Sequence, residues 1–211
     1  MEIDIQALPL RERYKLITGL IVPRPIGWVS TQNPDGQPNL APFSFFNGIC
    51  SNPPSLLFCP GVRGTDLSVK DTLNNIRASG EFVVNVVNQT LLEAMNITAT
   101  ENPPEINEFS EAGLTPIPAT KVNVPRVAES PASFECTLLN IVQVGDGGKG
   151  AAWVVIGEIV YLHAHEGIID ENYYVDTRAL DPVGRLAGPN YANLGDILEV
   201  QRLPTRIPRK E

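Results

Sequence analysis

Histidine and cysteine are scarce in these 211 residues: two histidines and three cysteines. Cys50, Cys59 and Cys136 form an odd set without CxxC spacing. That offers neither a disulfide framework nor a thiolate metal motif, and three reduced, packed thiols in a cytoplasmic protein are expected. No run of 18 apolar residues occurs, so no membrane span is expected. The first twenty residues carry Glu2, Asp4, Arg11, Glu12, Arg13 and Lys15 in place of an apolar h-region, which argues against a secretory signal. Basic side chains are outnumbered 16 to 24, leaving a net charge of −8. Such a chain repels a phosphate backbone, so no nucleic-acid partner is expected without a local basic patch. Neither G-x-S-x-G nor a P-loop is present, which leaves hydrolase and NTPase readings without support.

Proline, by contrast, is plentiful, at 19 of 211 residues against an average of about 5%. Proline interrupts helix interiors and central strands. Short elements with many connections are therefore expected, and a helical bundle is disfavoured. At this length a chain buries roughly 70% of its unfolded surface and folds without a metal or disulfide. One domain is the first expectation.

Arg11 to Thr18 reads as a short helix stopped by Pro23 and Pro25. Ile26 to Thr31 reads as a strand, and Asn33-Pro-Asp-Gly36 as a turn, with proline presetting φ and glycine accepting positive φ. Asn39 to Cys50 reads as the return strand, interrupted at Pro42. Ser55 to Cys59 is a further strand. Ser68 with Asp71 three residues on suggests an N-cap for a helix over 69–79, closed by Gly80. Phe82 to Val87, Ser133 to Val144 and Ala151 to His165 are strands by composition. The proline-rich stretch from Thr100 to Val127 reads as an excursion with a short helix. The tail from Arg202 to Lys210 holds four basic residues, and is either a mobile end or an arm on a partner subunit.

Gly145, Gly147 and Gly150 match the G-x-G-x-x-G spacing. The dinucleotide fingerprint needs a helix directly after it, so that pyrophosphate meets helix N–H groups. Trp153-Val-Val-Ile156 follows instead and is β-rich. A hairpin turn is expected there, and a Rossmann dehydrogenase is disfavoured.

Three groups of residues carry candidate chemistry. Lys70, Asp71 and Thr72 sit in the first turn of the expected helix, where backbone N–H groups are unpaired and the helix dipole is positive. A lysine and a hydroxyl there suit a phosphate, and Arg63 and Thr65 stand close by in the preceding loop; ordinary capping with a solvated lysine is the alternative. Asn39-Leu-Ala-Pro-Phe-Ser-Phe-Phe-Asn47 combines three phenylalanines with a proline. A strand losing its ladder there frees backbone groups for a flat heterocycle; an aromatic core strand is the alternative. His163 and His165 share one strand face. A catalytic zinc usually needs three protein ligands, so no metal site is expected, and one histidine beside a cofactor fits better.

Pro23-Arg-Pro-Ile-Gly-Trp-Val-Ser-Thr31, Asn39 to Asn47 and Lys70-Asp-Thr72 occur in that order, followed by Phe82-Val-Val-Asn85, Glu93-Ala-Met-Asn96 and Pro125-Arg-Val-Ala-Glu-Ser-Pro131. Gly184-Arg-Leu-Ala-Gly188 and Tyr191 close the series. Together these segments resemble the flavin reductase-like, FMN-binding split-barrel family from about Ile17 to Leu194. The resemblance implies a mainly β fold, a six-stranded antiparallel Greek-key barrel with peripheral helices. It implies a homodimer with FMN near the subunit interface; FAD or riboflavin are further candidates. NAD(P)H would be the electron donor, and a monooxygenase or electron-acceptor protein a partner. By motif position, Ser30 and Thr31 would line the flavin or its phosphate. Ala41, Pro42, Phe43, Ser44, Phe45, Phe46 and Asn47 would pass along its ring and ribityl chain. Lys70, Asp71 and Thr72 would hold the phosphate with help from Arg63, and His163 and Tyr191 would stand near the ring. Gly27 departs from a frequent alanine, and Ala187 replaces one glycine of a common pair. The implied activity is hydride transfer from NAD(P)H to flavin; an electron carrier reduced by a partner protein is the alternative.

Overall fold

The computed structural model describes residues 1–207. Seven strands form one antiparallel sheet: β1 (Gly27–Gln32), β2 (Pro38–Phe43), β3 (Phe46–Ser51), β4 (Pro54–Phe58), β5 (Glu81–Asn85), β8 (Ala132–Val144) and β9 (Ala152–Ala164). Short strands β6 (Pro116–Ile117) and β7 (Arg126–Val127) pair outside it, as do β10 (Gly184–Arg185) and β11 (Tyr191–Ala192). The helices are α1 (Leu10–Leu20), α2 (Asp71–Ser79), α3 (Leu92–Ile97), α4 (Glu108–Glu111) and α5 (Thr177–Leu180).

The strand order β2-β1-β5-β8-β9-β4-β3 puts β2 and β3 on opposite edges. Yet only Ser44 and Phe45 separate these strands in the chain. A flat seven-stranded sheet would hold its edges about 29 Å apart, whereas three Cα steps span at most about 11 Å. The sheet is therefore rolled until its edges meet. Across the seam the Phe46 ring of β3 reaches β1: a Cβ on Gly27 would lie 2.8 Å from it. The expected six strands become seven because the single return strand over 39–50 divides at Ser44–Phe45 and serves both edges.

The expected break at Pro42 is not where the division falls. Pro42 lies within β2 and pairs with Trp28. An edge strand tolerates proline because one side of its ladder is unpaired.

The roll puts buried apolar clusters on both sides of the sheet. Inside lie Val29, Phe43, Phe58, Phe82, Cys136 and Trp153, with Phe58 5.0 Å from Phe43 and 5.5 Å from Phe82 between ring centroids. Helix α2 closes this interior with Leu73 and Ile76, both fully buried. Each such side chain contributes roughly 1.5–3 kcal/mol when removed from water. Outside, Trp28, Leu40, Met95 and Phe109 pack together where α3 and α4 cover β1 and β2, and the Trp28 indole donates to Thr98 at 2.9 Å. Strand β1 is thus buried on both faces, Trp28 outward and Val29 inward.

Gly145, Gly147 and Gly150 all have φ near +88° (88°, 86° and 89°), in the bend between β8 and β9. The glycine pattern makes a hairpin turn, as expected. No disulfide occurs among the described residues. Cys136 is packed in the interior, and burial pushes its thiol pKa up. Cys50 departs from the expectation of packed thiols, because it is exposed on edge strand β3. Of the basic tail, Arg209 and Lys210 lie outside the described residues.

Gly157 on β9 lies under Phe82: an added Cβ would collide with Cζ of that ring and stand 3.3 Å from Cβ of Cys136. Overpacking of this kind costs about 1–3 kcal/mol. Gly157→Ala is expected to lower the urea midpoint by that equivalent with an unchanged slope; an unmoved midpoint would show that the interior yields freely.

Candidate functional site

The helix over 69–79 starts later than its sequence suggests. Lys70 is the N-cap residue of α2, and it makes no side-chain capping bond. Ser68 does not cap it; its hydroxyl and N–H both donate to Asp66. The Lys70 carbonyl takes the N–H groups of Leu73 and Asn74. The N–H groups of Asp71 and Thr72 have no partner among the described residues. Two unpaired donors at a positive helix end form an anion-binding geometry.

Side chains complete the donor set. The Lys70 Nζ stands 5.8 Å from the centroid of the Phe43 ring and has no ion-pair partner within 4.0 Å among the described residues. Burial pulls its pKa below the ordinary amine range; Glu101 opposes this, and Arg63 adds to it. Such an ammonium gains from an anion that replaces lost water. The Thr72 hydroxyl oxygen accepts from Asn39 Nδ2 at 3.0 Å, which leaves its own hydrogen for a ligand. Arg63 is paired with Asp71 and donates to the Asn102 carbonyl at 3.0 Å. Glu101 accepts from the N–H groups of Gly64 (2.6 Å) and Thr65 (3.2 Å), which fixes the loop.

These groups line an open cleft of about 470 Å³ together with Asn39, Ala41, Pro42 and Glu108. A second cleft, about 770 Å³, is lined by Arg24, Ser44, Arg185 and Tyr191. Pro42 and Ala99 line both. The two therefore form one groove, running along the edge strand from Lys70 to Tyr191.

The sequence candidates divide accordingly. Ala41, Pro42, Arg63, Lys70, Asp71 and Thr72 line the first part, and Ser44 and Tyr191 the second. Phe43 lies in the barrel core beneath Lys70. Phe45 is partly exposed, 6.0 Å from the Arg24 guanidinium. Phe46 fills the seam against Gly27, and Asn47 is exposed on β3, bonded to the N–H of Gly48.

Like those four, three further candidates stand apart from the groove lining. Ser30 is fully buried, and its hydroxyl donates to the Pro125 carbonyl at 2.6 Å. Thr31 is buried behind the groove, accepting from Asn39 at 3.2 Å and Asn75 at 3.1 Å. It positions Asn39. His163 bonds Glu135 at 2.5 Å, on the side of the 100–127 excursion. Glu135 is fully buried, and burial disfavours its charge. The His163 bond and the N–H groups of Thr120, Lys121 and Val122 outweigh this and hold its carboxyl below the ordinary range. The pair anchors the excursion to the sheet. Among the described residues no three His, Cys, Asp or Glu groups could together hold a metal.

Sequence reasoning missed Glu108 and Arg24. Glu108 comes from the excursion and accepts from the N–H of Leu40 at 3.2 Å, supplying an acceptor to edge strand β2. Arg24, 5% exposed, donates to Ser44 Oγ (3.3 Å) and to the carbonyls of Thr18 (2.6 Å), Ile21 (2.7 Å) and Leu186 (3.1 Å). Its place in the Pro23–Thr31 segment was the only signal.

The flavin reductase-like domain model matches residues 19–183. The chain belongs to the flavin reductase-like family. Its fold closely follows nitrilotriacetate monooxygenase component B from Bacillus cereus, at 34% identity and TM-score 0.89, covering 95% of this chain and 98% of that one. It is similar to the 2-nitrobenzoate 2-nitroreductase of Pseudomonas fluorescens, at 33% identity and TM-score 0.87, covering 99% of each chain. A Shewanella frigidimarina protein described as a flavin reductase with a split-barrel domain aligns at 27% identity and TM-score 0.81, over 97% of this chain and 99% of that one. Family and likeness together support flavin-related redox chemistry in a split-barrel scaffold. No helix among the described residues is long and apolar enough to cross a membrane.

Burial raises the Glu108 pKa above the ordinary carboxylate range, and Asp71 adds to this. A raised folded-state pKa means that ionising Glu108 destabilises the fold above that value. Glu108→Gln keeps an oxygen for Leu40. It is expected to raise the urea midpoint at pH 7–8 and leave it unchanged at pH 3, well below the ordinary carboxylate range, where the wild-type carboxyl is protonated in both states. An equal gain at both pH values would contradict the desolvation argument.

Proposed function

We propose that this protein is an FMN-dependent oxidoreductase that passes a hydride from NADH or NADPH to flavin. The observation that carries the reading is the uncapped start of α2, where Lys70, Asp71 and Thr72, with two unpaired N–H groups, an unpaired Nζ and a hydroxyl among them, line one end of the groove. This donor set fits a phosphate monoester. It gives a chain of net charge −8 a local positive site.

Lys70, Thr72 and the first turn of α2 would hold the phosphate. Ala41 and Pro42 would border the cofactor along β2, and Tyr191 would stand near the flavin at the far end. Bound there, FMN would supply a hydride acceptor, and the difficult chemistry would belong to the cofactor. The chain's own task is positioning, so a nucleophile–base pair is not required. Phosphate contacts at Lys70 favour FMN over riboflavin.

The likeness to a monooxygenase component supports delivery of reduced flavin to a separate oxygenase. A homodimer is supported by apolar side chains left exposed at Leu20 and Ile21, where α1 ends, and at Leu139, Val142 and Leu162 on the long hairpin.

Anaerobic stopped-flow mixing of the FMN-loaded protein with NADH and with NADPH tests the reaction. Bleaching of the flavin band with at least one donor is expected; no bleaching with either would remove the reductase reading. The phosphate assignment has its own test. Lys70→Ala combined with Thr72→Ala is expected to weaken FMN binding by about 2–4 kcal/mol, from charge-assisted bonds of roughly 1.5–3 kcal/mol each. Unchanged affinity in the folded double variant would place the phosphate elsewhere.

A further inference from the structure

Two guanidinium groups stand at the end of the groove opposite Lys70. Arg24 is 5% exposed and Arg185 half-buried, and both line the second cleft. Neither has a carboxylate within 4.0 Å among the described residues. Arg24 is engaged by three carbonyls and one hydroxyl, so it is fixed in place with its charge uncancelled. Arg185 uses only Nη2, which donates to the Gly188 carbonyl at 2.6 Å; its Nε and Nη1 have no partner among the described residues. The Arg185 guanidinium lies 4.4 Å from the centroid of the Tyr191 ring.

Arg185 and Tyr191 also line a third, outer cleft of about 940 Å³ beyond the groove, bordered by Asn96, Ile97 and Pro189. These two side chains are thus shared by the groove and the space outside it. Glu93 borders the outer cleft but lies beyond ion-pair distance of Arg185. Two neighbouring positive charges without a counter-anion disfavour one another. Burial lowers the Arg24 pKa, and Arg185 adds to the effect. An anionic ligand would relieve this repulsion, and a guanidinium binds carboxylate or phosphate bidentately.

We infer that Arg185, held over Tyr191 and backed by Arg24, is the anion-recognition point for the second reactant, the molecule that exchanges electrons with the flavin, and that this reactant carries a phosphate or carboxylate beside a flat ring. The inference rests on the flavin reading of the groove. It assigns the outer cleft to a different molecule from the one held at Lys70.

The test uses FMN-loaded full-length protein, with wild type compared to Arg185→Gln and Arg185→Lys. The glutamine retains a donor for the Gly188 carbonyl, and the lysine retains the charge. FMN affinity is measured by quenching of flavin fluorescence. Binding of NAD⁺, NADP⁺ and benzoate is then measured by calorimetry. The expected result is that at least one probe binds wild type and binds Arg185→Gln at least tenfold more weakly. Arg185→Lys is expected to recover part of that loss, with FMN affinity within about twofold throughout. Loss confined to the nucleotides identifies a phosphate source, and loss confined to benzoate a carboxylate. The inference is overturned if no probe binds wild type at millimolar concentration, or if the substitution leaves every probe unaffected. It is equally overturned if Arg185→Gln weakens FMN itself tenfold, since Arg185 then belongs to the flavin contact. Failure of wild type to bind FMN at all would instead overturn the flavin reading.

Discussion

Two residues, Ser44 and Phe45, carry the chain from one edge of a seven-stranded sheet to the other. Everything else follows from that short step, because a connection of about 11 Å cannot join the edges of an open sheet. Closure makes an interior for Phe43, Phe58 and Phe82, and α2 covers it with Leu73 and Ile76. Closure also leaves β2 as an edge whose outer side is only partly covered. Glu108 and the groove lie along that edge. Fold and candidate site therefore share one cause.

Electrostatics then divides the groove. Its two ends are both cationic, but for different reasons. At the α2 end, residues carrying unpaired backbone donors, an unpaired lysine and a hydroxyl line the same cleft, which suits a compact, highly charged group. At the Tyr191 end, the charge is spread over two guanidinium planes beside an aromatic ring, which suits a flat anion. The acidic residues nearby are each occupied: Asp71 by Arg63, Glu101 by two loop N–H groups, and Glu108 by Leu40. Glu101 and Asp71 still act on Lys70, against burial and Arg63, but neither forms an ion pair with it. A net charge of −8 is compatible with phosphate binding because the positive field is local.

Much of this was legible in the sequence. Strand patterns at Ile26–Thr31 and in the two long hairpin strands, the turn at Asn33–Gly36 and the Gly80 helix end are local signals, and the structure follows them. The glycine pattern at 145–150 is followed by β-rich residues, which is the local signal for the hairpin bend found there. Missed features depended on distant partners. The strand division falls at Ser44–Phe45 and not at Pro42, since closure and not a missing N–H decides it. Ser68 turns back to Asp66 instead of capping α2, a choice between two short-range bonds that composition does not settle. Ser30 faces Pro125, and His163 faces Glu135, because the excursion folds back against the sheet. Glu108 arrives at the groove from that same excursion, where spacing carries no signal.

The central claim is that the bare start of α2 is the phosphate end of a flavin site. A crystal structure of the protein soaked with FMN tests it most directly. The account predicts phosphate density within hydrogen-bond distance of the Thr72 N–H and Lys70 Nζ, with the remainder of the cofactor directed past Pro42. Phosphate density at Arg185, or ordered FMN away from α2, would contradict it.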